Sequence, residues 1–333
     1  MISFVWPSGA PMLAGTGGSE TYTTGHIREL LRRGIAAQAV SVGHGLKDGR
    51  KDFPDIPFLS LDTPAQISDL HGTVVFVNRP YDVPTRNRSA IILHYVVMPA
   101  LLDQATSKAQ MAGKTIIVPS IYNGQQWALY LNIPYSRIHV VPPFADPVFG
   151  NVRRSKPVKK TRIIYAGRLH PEKGIYTLLE MMHESEMAST STYAMSLVVA
   201  GQHVEIGRTI ARMLTDYPYA RLIAPQKTVQ GMAQLLGQQD ILLMPSVFAE
   251  PFGMLSVEAQ HTGCRVVASN IGGIPETNCE LLTLVEPRNP RALLRGIEQA
   301  VALGPVTKRE RDKAKVRFTL DESVDALLRA LHL

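Results

Sequence analysis

Four charged residues of this sequence have the types and positions that suit a ligand with both phosphate and hydroxyl groups. Glu250 and Glu258 lie eight positions apart around the turn Pro-Phe-Gly, and Arg168 and Lys173 lie five positions apart around Leu-His-Pro-Glu. Carboxylates accept hydrogen bonds from hydroxyl groups, whereas guanidinium and ammonium groups bind phosphate. Together, the two pairs fit a nucleotide sugar. Spacing alone is a weak indicator, because two Glu residues eight positions apart are common by chance.

The elements around Glu250 are predicted to bring it to the ligand-binding edge of a parallel sheet. A continuous apolar run precedes its loop and is typical of a buried strand. A helix is predicted from Gly253 to Gly263, and after the next strand the pair Gly272–Gly273 leads into Pro275, which suits the first turn of another helix. Because helix N-termini present free N–H groups, both loops are expected to suit an anion.

These motifs resemble the donor-site signature of a known enzyme family. E-P-F-G-x-x-x-x-E followed by G-G-I-P-E, together with G-R-L-x-x-x-K-G, resembles the retaining nucleotide-sugar glycosyltransferases of family four. The resemblance implies the GT-B fold, an α/β fold of two Rossmann-like domains whose parallel sheets face a cleft. It implies that Glu258 binds the ribose hydroxyls, that Glu250 orients the transferred sugar, and that Arg168 and Lys173 bind the diphosphate. It also assigns further donor-binding positions, which are Gly17, Gly18, Gly167, Pro225, Phe252, Gly253, Met254 and Leu255.

The N-terminal part reads as a strand, a glycine loop, a helix and a second strand. The helix is predicted over Ser19–Arg33, with Ser19 as its cap. The loop is not G-x-G-x-x-G, and the second strand ends in Ser-Val-Gly-His without an acid. A nicotinamide cofactor is therefore not favoured. In the family that the sequence resembles, this glycine loop approaches the donor phosphate, and Gly17 and Gly18 match it.

The first half also carries the residues expected to face the reacting sugar and the acceptor. His94 directly follows the apolar run Ile-Ile-Leu, and the resemblance implies a catalytic position near the reacting sugar. A structural histidine at a strand end is the alternative. Arg79 and Tyr81 follow an earlier strand and are predicted to line the acceptor side, although a polar surface loop fits equally well.

A chain of 333 residues is long for one domain and suits two. We predict an N-terminal, acceptor-side domain over residues 1–150 and a donor domain over residues 151–306. Residues 151–160, which are polar, basic and proline-containing, are expected to link them. The C-terminal segment 307–333 contains a helix with an apolar stripe and is expected to pack back on the first domain.

Composition restricts the location and the partners of the protein. The net charge of +7 is moderate, and much of it lies in residues 153–162 and 308–317. We interpret these stretches as solvated surfaces, with weak peripheral contact with an anionic membrane as the alternative. No aromatic–basic interleaving indicates nucleic-acid binding. The two cysteines favour a reducing compartment, and no apolar run is long enough to span a bilayer. The sequence therefore predicts a cytoplasmic protein. In the alternative with peripheral membrane contact, the protein would lie at the inner face of the membrane.

The sequence thus predicts a retaining glycosyltransferase that moves a hexose from a UDP- or GDP-sugar to a sugar, lipid-linked or small-molecule acceptor. No Asp-x-Asp motif lies where it would bind a metal, so neither a metal nor another cofactor is expected. Two alternatives remain open. A non-hydrolysing nucleotide-sugar epimerase would need further acid–base residues, and a catalytically silent nucleotide-sugar binder would need none.

Overall fold

A computed structural model of the chain contains two compact units. The first comprises Met1–Phe144 and Phe318–Leu333, and the second comprises Ala145–Arg317. The structure describes all residues except 8–10, 16, 86–87, 100–101, 169, 185–192, 201–207, 209, 211, 213, 218 and 227. At residues 105, 168, 198–200 and 215 it describes the backbone alone.

The first unit is built on a seven-stranded sheet in which every neighbouring pair of strands is parallel. Its strand order is β3-β2-β1-β4-β5-β6-β7, and most of its side chains are buried, as expected for strands covered on both faces. The sequence did not indicate β3. The strands are β1 Ile2–Val5, β2 Ala37–Val42, β3 Phe58–Leu61, β4 Thr73–Val77, β5 Ser89–Ile92, β6 Thr115–Val118 and β7 Ile138–Val140.

The α-helices that the structure describes between these strands belong to the first unit. They are α1 Gly18–Arg32, α2 Gln104–Met111 and α3 Ile121–Leu131. The prediction that Ser19 caps α1 is wrong, because Gly17 occupies the cap position and Ser19 lies inside the helix. The sequence also indicates a helix over residues 64–70, and the structure has a 3-10 helix there, Pro64–Asp69.

The second unit contains a six-stranded parallel sheet with the order β10-β9-β8-β11-β12-β13. The predicted parallel α/β architecture is therefore confirmed in both units. The strands are β8 Thr161–Arg168, β9 Tyr193–Ala200, β10 Ala220–Ile223, β11 Ile241–Met244, β12 Arg265–Ser269 and β13 Leu282–Val285.

One helix of the second unit ends at the glycine that the sequence pattern indicates as its stop signal. The helix after β11 ends at Gly263, which adopts a left-handed φ of 85°. The helix predicted over residues 205–217 lies largely outside the described residues. The helices are α4 Pro147–Asn151, α5 Ile175–Glu184, α6 Val229–Gly237, α7 Met254–Thr262, α8 Pro290–Ala302 and α9 Lys308–Ala314.

The last helix, α10 (Leu320–Leu331), belongs to the first unit. Its predicted apolar stripe is buried in the core that also contains Ile27 and Leu30 of α1. Charged side chains at the rim join the same two helices, since the Arg33 guanidinium lies 2.9 Å from Asp321. The 307–333 segment is thus divided between the units, with α9 in the second and α10 in the first.

Candidate functional site

The strand order of the second sheet creates one position where consecutive loops diverge. From β8 the chain proceeds to β9 and β10 on one side, then crosses back to β11 on the other side. The loops after β8 and β11 therefore leave neighbouring strands toward opposite halves of the sheet. Such a switch point at the carboxyl edge of a parallel sheet is where ligands bind in open α/β folds. The two sequence motifs supply these two loops.

Lys173 and Glu250 form an ion pair across this switch point. Lys173 Nζ lies 2.8 Å from Glu250 Oε1, although the residues are 77 positions apart in the chain. The hydroxyl of Ser246 donates to the same carboxylate oxygen at 2.6 Å. The ammonium also lies 4.9 Å from the centroid of the Phe248 ring, a cation–π contact. Lys173 and Glu250 belong to the sequence motifs, whereas no local sequence signal indicates Ser246 or Phe248.

The two loops touch closely because one of them contains a glycine. Gly174 has a left-handed φ of 74°, and a Cβ there would lie 1.7 Å from the carbonyl oxygen of Pro245. Close by, the N–H of Val247 donates to the carbonyl of Glu172 at 2.8 Å. Only glycine permits this approach of the two backbones, which brings Lys173 within reach of Glu250.

The pair Gly272–Gly273 has a different role from the one predicted. It precedes a 3-10 helix of only four residues, Ile274–Thr277. A helix this short does not have the N-terminal partial charge that attracts an anion. Instead, the N–H of Gly273 donates to the carbonyl of Glu250 at 2.8 Å. A Cβ on Gly272 would lie 2.5 Å from that same carbonyl oxygen. The glycine pair therefore holds the backbone of Glu250.

The N-terminus of α7 lies directly after the loop that carries Glu250. Gly253 occupies the cap position with a left-handed φ of 112° and no side-chain cap, so the first N–H groups of the helix face outward from it. Phe252 is buried, whereas Met254 and Leu255 are partly exposed. This arrangement provides backbone donors and a positive helix end where the sequence motif predicted them.

Glu258 lies in the second turn of α7 and is partly buried. Burial raises the pKa of its carboxyl group to about 7, and the negative charge of Asp146 adds to that effect. A carboxyl group with this pKa changes charge close to neutral pH. In either state its oxygens accept hydrogen bonds from hydroxyl groups.

Three other residues predicted to bind the donor lie at the ends of strands in the second sheet, and fewer of their contacts are described. Gly167 lies near the end of β8, and a Cβ there would meet only the Tyr165 hydroxyl at 3.7 Å, an ordinary contact. The packing of the described residues therefore does not require this glycine. Arg168 ends β8, but its side chain lies outside the described residues. Pro225 follows β10 and is exposed.

The first sheet has a similar switch point between β1 and β4. Asn78, directly after β4, has a left-handed φ of 62°. Its side-chain carbonyl accepts the backbone N–H of His94 at 3.0 Å, and its amide donates to the Ser19 hydroxyl at 3.3 Å. One amide side chain thus connects the ends of β4 and β5 with the start of α1.

His94 is partly buried, and its Nε2 atom, which is itself buried, has no hydrogen-bond partner among the described residues. Burial lowers the pKa of this imidazole to about 3, and the neighbouring His26 contributes to the same shift. The side chain is therefore neutral at physiological pH. A buried polar atom without a partner is costly unless a ligand or a water satisfies it, so His94 remains a candidate for substrate contact.

The other predictions in the first unit fall beside the same switch point. Among the described residues, a Cβ on Gly17 would meet only the flexible carboxylate of Glu20 at 3.0 Å, so their packing does not demand glycine. Gly18 is the first residue of α1. Arg79 follows β4, and the Tyr81 hydroxyl donates to the Trp6 carbonyl at 3.4 Å. Tyr81 thus has a structural contact, and its acceptor role stays a prediction.

The two basic stretches make more contacts with the protein than the sequence suggested. The guanidinium of Arg162 lies 2.7 Å from Asp240, and Arg154 lies 3.4 Å from the same carboxylate. In α9, Arg311 donates to backbone carbonyls, the shortest at 2.7 Å to that of Val152. The segment 151–160 is thereby attached to the second unit.

The described part of the chain has neither a cluster of metal-binding side chains nor a helix that could span a membrane. There, no three His, Cys, Asp or Glu side chains are grouped so that they would hold a metal ion. Within the same residues, every helix is too short or too polar to cross a membrane. Both cysteines, Cys264 and Cys279, are buried free thiols.

The buried histidines predict that acid destabilises the first unit. Burial lowers the pKa of His26 to about 4, and that of His94 is lowered to about 3, whereas both are near 6.5 when unfolded. Below pH 6.5 the unfolded chain therefore binds protons that the native protein does not. The free energy of unfolding is expected to fall with decreasing pH by about 1.4 kcal/mol per pH unit for each histidine.

Tryptophan fluorescence measures this effect, because both tryptophans, Trp6 and Trp127, lie in the first unit. Urea unfolding followed between pH 7.5 and pH 5 is the experiment. The His94→Asn variant is expected to show a smaller pH dependence than the wild type in this range, because one histidine with a lowered pKa is removed. Equal stability of the wild-type protein at both ends of the range would contradict the prediction.

Comparison with known proteins identifies relatives of the second unit and of the whole fold. The sequence profile described as "Glycosyl transferases group 1" matches residues 151–317, half of the 333-residue chain. The lipopolysaccharide 1,2-N-acetylglucosaminetransferase of Salmonella typhimurium is 28% identical over 153 residues, which cover 43% of this chain and 39% of that protein. The chain thus spans less than half the length of this curated relative.

Solved structures match over nearly the full chain. A glycosyltransferase from Rickettsia africae superposes with a TM-score of 0.80 at 19% identity, covering 99% of this chain and 97% of the other. HepE of Anabaena, in complex with UDP, superposes with a TM-score of 0.77 at 17% identity, covering 99% of each chain. At these identities the similarity establishes the fold, which is the GT-B arrangement of two parallel α/β sheets.

Proposed function

Because the chain belongs to the group 1 glycosyl transferases, we propose that it transfers a hexose from a nucleotide sugar with retention of anomeric configuration. The acceptor in this proposal is a sugar, a lipid-linked sugar or a small molecule. The observation that carries the proposal is the ion pair between Lys173 and Glu250 at the switch point of the second sheet. It joins a phosphate-binding cation to a hydroxyl-binding carboxylate, as a nucleotide-sugar site requires.

In the proposed reaction, the diphosphate lies over the N-terminus of α7 and contacts Lys173 and Arg168. Its charge grows as the bond to the sugar breaks, so fixed cations and backbone N–H groups stabilise the transition state more than the ground state. Glu250 orients the hydroxyl groups of the sugar, and Glu258 binds the ribose. Both acids follow β11 within one strand–loop–helix unit, which supports this division of roles.

The glycines and His94 complete the proposed donor contacts. In the described part of the chain no neighbour requires glycine at Gly17 or Gly167, so close approach of a ligand is a reason for glycine at both positions. The unpartnered Nε2 of His94 would bind a hydroxyl group of the reacting sugar. Because its pKa is lowered to about 3, this imidazole would act as a neutral hydrogen-bonding group.

We propose UDP as the first nucleotide to test, because HepE of Anabaena, which shares the fold, was solved with UDP. GDP remains the alternative. A thermal-shift screen with UDP, GDP, ADP and their sugars would identify the base. A ligand at a hundredfold its dissociation constant stabilises the native state by about 2.7 kcal/mol, which is easily measured.

Product analysis with the best nucleotide sugar then separates the candidate activities. Transfer of the sugar to an acceptor with retention of the anomeric configuration supports a retaining glycosyltransferase. Slow release of the sugar with the same configuration supports it as well. An epimerised donor in the absence of acceptor would indicate an epimerase. Binding of nucleotide sugars without either product would indicate a silent binder, and binding of none would reject the proposal.

Transfer is expected to survive removal of divalent metal. Lys173, Arg168 and the α7 N-terminus are proposed to neutralise the diphosphate in place of a metal ion. Initial rates measured in EDTA should therefore equal those measured with added magnesium or manganese. Complete loss of activity in EDTA, with recovery on addition of either metal, would show that the diphosphate needs a cation that the protein does not supply.

A further inference from the structure

One oxygen of the Glu250 carboxylate accepts two hydrogen bonds. Oε1 accepts from Lys173 Nζ at 2.8 Å and from Ser246 Oγ at 2.6 Å. Among the described residues, none donates to Oε2. The Glu250 side chain is 10% exposed, so it keeps a limited opening through which a ligand can approach. The two oxygens of Glu250 are therefore not equivalent.

The backbone of Glu250 is fixed as well. Its carbonyl accepts the N–H of Gly273 at 2.8 Å, and Gly272 packs against the same peptide so closely that it has no room for a side chain. With the main chain held, the remaining freedom of the residue lies in its side-chain torsions. A hydrogen bond to the carboxylate is then what decides where the second oxygen points.

We propose that Ser246 is a positioning residue that fixes the Glu250 carboxylate so that Oε2 alone faces the hydroxyl groups of the donor sugar. This inference rests on the proposed function. Ser246 is suited to the role because it is 2% exposed and follows β11 after a single residue. Its hydroxyl is carried on a one-carbon side chain, so its direction is set by the end of the strand.

Lys173 alone would not provide the same restraint. An ammonium group is a mobile point charge on a four-carbon stem, and it can follow a carboxylate through several orientations. It is also a group proposed to contact the diphosphate of the donor. Ser246 would keep Glu250 in place when Lys173 makes that contact, because the serine hydrogen bond does not depend on the position of the ammonium.

The test compares Ser246→Ala with Ser246→Thr and with a control, Ser196→Ala. Ser196 is also buried, but it lies on β9, away from the loops after β8 and β11. Three quantities are measured for each folded variant: kcat and KM with UDP-glucose, and the affinity for UDP alone. If GDP is the base selected by the thermal-shift screen, GDP-glucose and GDP replace these probes.

Ser246→Ala is expected to lower kcat by about 10- to 100-fold, the effect of losing one hydrogen bond to a charged group. Affinity for UDP should stay within about twofold, because UDP carries no transferred sugar. Ser246→Thr, which keeps the hydroxyl, should recover most of the kcat. The Ser196→Ala control should match the wild type in all three quantities.

Two results would overturn the proposal. The first is a Ser246→Ala enzyme with wild-type kcat, and the second is a parallel loss of kcat and UDP affinity, which would indicate a general structural defect. Failure of the proposed function is a separate outcome, since the wild type itself would then transfer no sugar. In that case, a crystal structure of Ser246→Ala decides. A reoriented Glu250 carboxylate supports positioning, and an unchanged carboxylate rejects it.

Discussion

Replacing Lys173 with alanine is expected to lower kcat/KM for the nucleotide-sugar donor by about a hundredfold or more. The ammonium is proposed to contact a diphosphate whose charge grows in the transition state, so its loss should weaken binding and lower kcat together. Loss of Lys173 also leaves the mostly buried Glu250 carboxylate without its cation. Steady-state kinetics with a single donor measure the effect, and Lys159→Ala, which removes an exposed lysine of the same unit, is the control.

Variants of the neighbouring residues should show distinct kinetic patterns. Lys173→Arg should not restore full activity, because a planar guanidinium does not replace a compact ammonium in a close pocket. Glu250→Ala should lower kcat more than it raises KM, because Glu250 acts on the sugar as it reacts. Glu258→Ala should mainly raise KM, because ribose contacts are nearly equal in the ground and transition states.

Arg168→Ala is the fourth variant to compare with those of Lys173, Glu250 and Glu258. We expect it to lower kcat/KM about as much as Lys173→Ala does. Its basis is the sequence motif, since the side chain of Arg168 lies outside the described residues. If Glu250→Ala and Glu258→Ala both kept near-wild-type kcat and KM, the donor would bind elsewhere. The proposed function of this edge of the sheet would then have to be abandoned.

Gly174→Ala is expected to cost far more stability and activity than the same change at Gly304. The two glycines have nearly identical left-handed φ angles, 74° and 71°. A Cβ at Gly174 would lie 1.7 Å from the Pro245 carbonyl oxygen, whereas a Cβ at Gly304 meets nothing within 4 Å. The pair therefore separates the cost of the backbone conformation from the cost of the steric clash.

Gly304→Ala should lower the free energy of unfolding by about 1 to 2 kcal/mol, the cost of left-handed backbone with a side chain. Gly174→Ala should add about 1 to 3 kcal/mol for the forced separation of two packed loops. That separation would also pull Lys173 from Glu250, so transfer activity should fall in this variant alone. Urea unfolding and initial rates of both variants are the measurements, and equal losses of stability would refute the steric explanation.

The sequence alone determined the α/β class, the parallel sheets and most helix ends. These features depend on local properties: continuous apolar runs form buried strands, and glycines such as Gly263 end helices. It also placed Glu250 and Lys173 on loops at the carboxyl edge of a sheet, because strand–loop–helix order is visible in the chain. The predicted cap of α1 was wrong because glycine and serine are both acceptable cap residues. Only the backbone conformation determines that Gly17, and not Ser19, occupies the cap position.

Only the tertiary structure decided which residues meet. The pairing of Lys173 with Glu250, the hydrogen bond from Ser246 and the support of Glu250 by Gly273 all depend on the strand order that places β8, β11 and β12 side by side. The pair Gly272–Gly273 was interpreted as the start of an anion-binding helix. A glycine pair that supports a neighbouring backbone has the same local sequence, so the sequence could not distinguish the two roles. The contacts that give these residues their roles join positions far apart in the chain, and residue spacing carries no information about them.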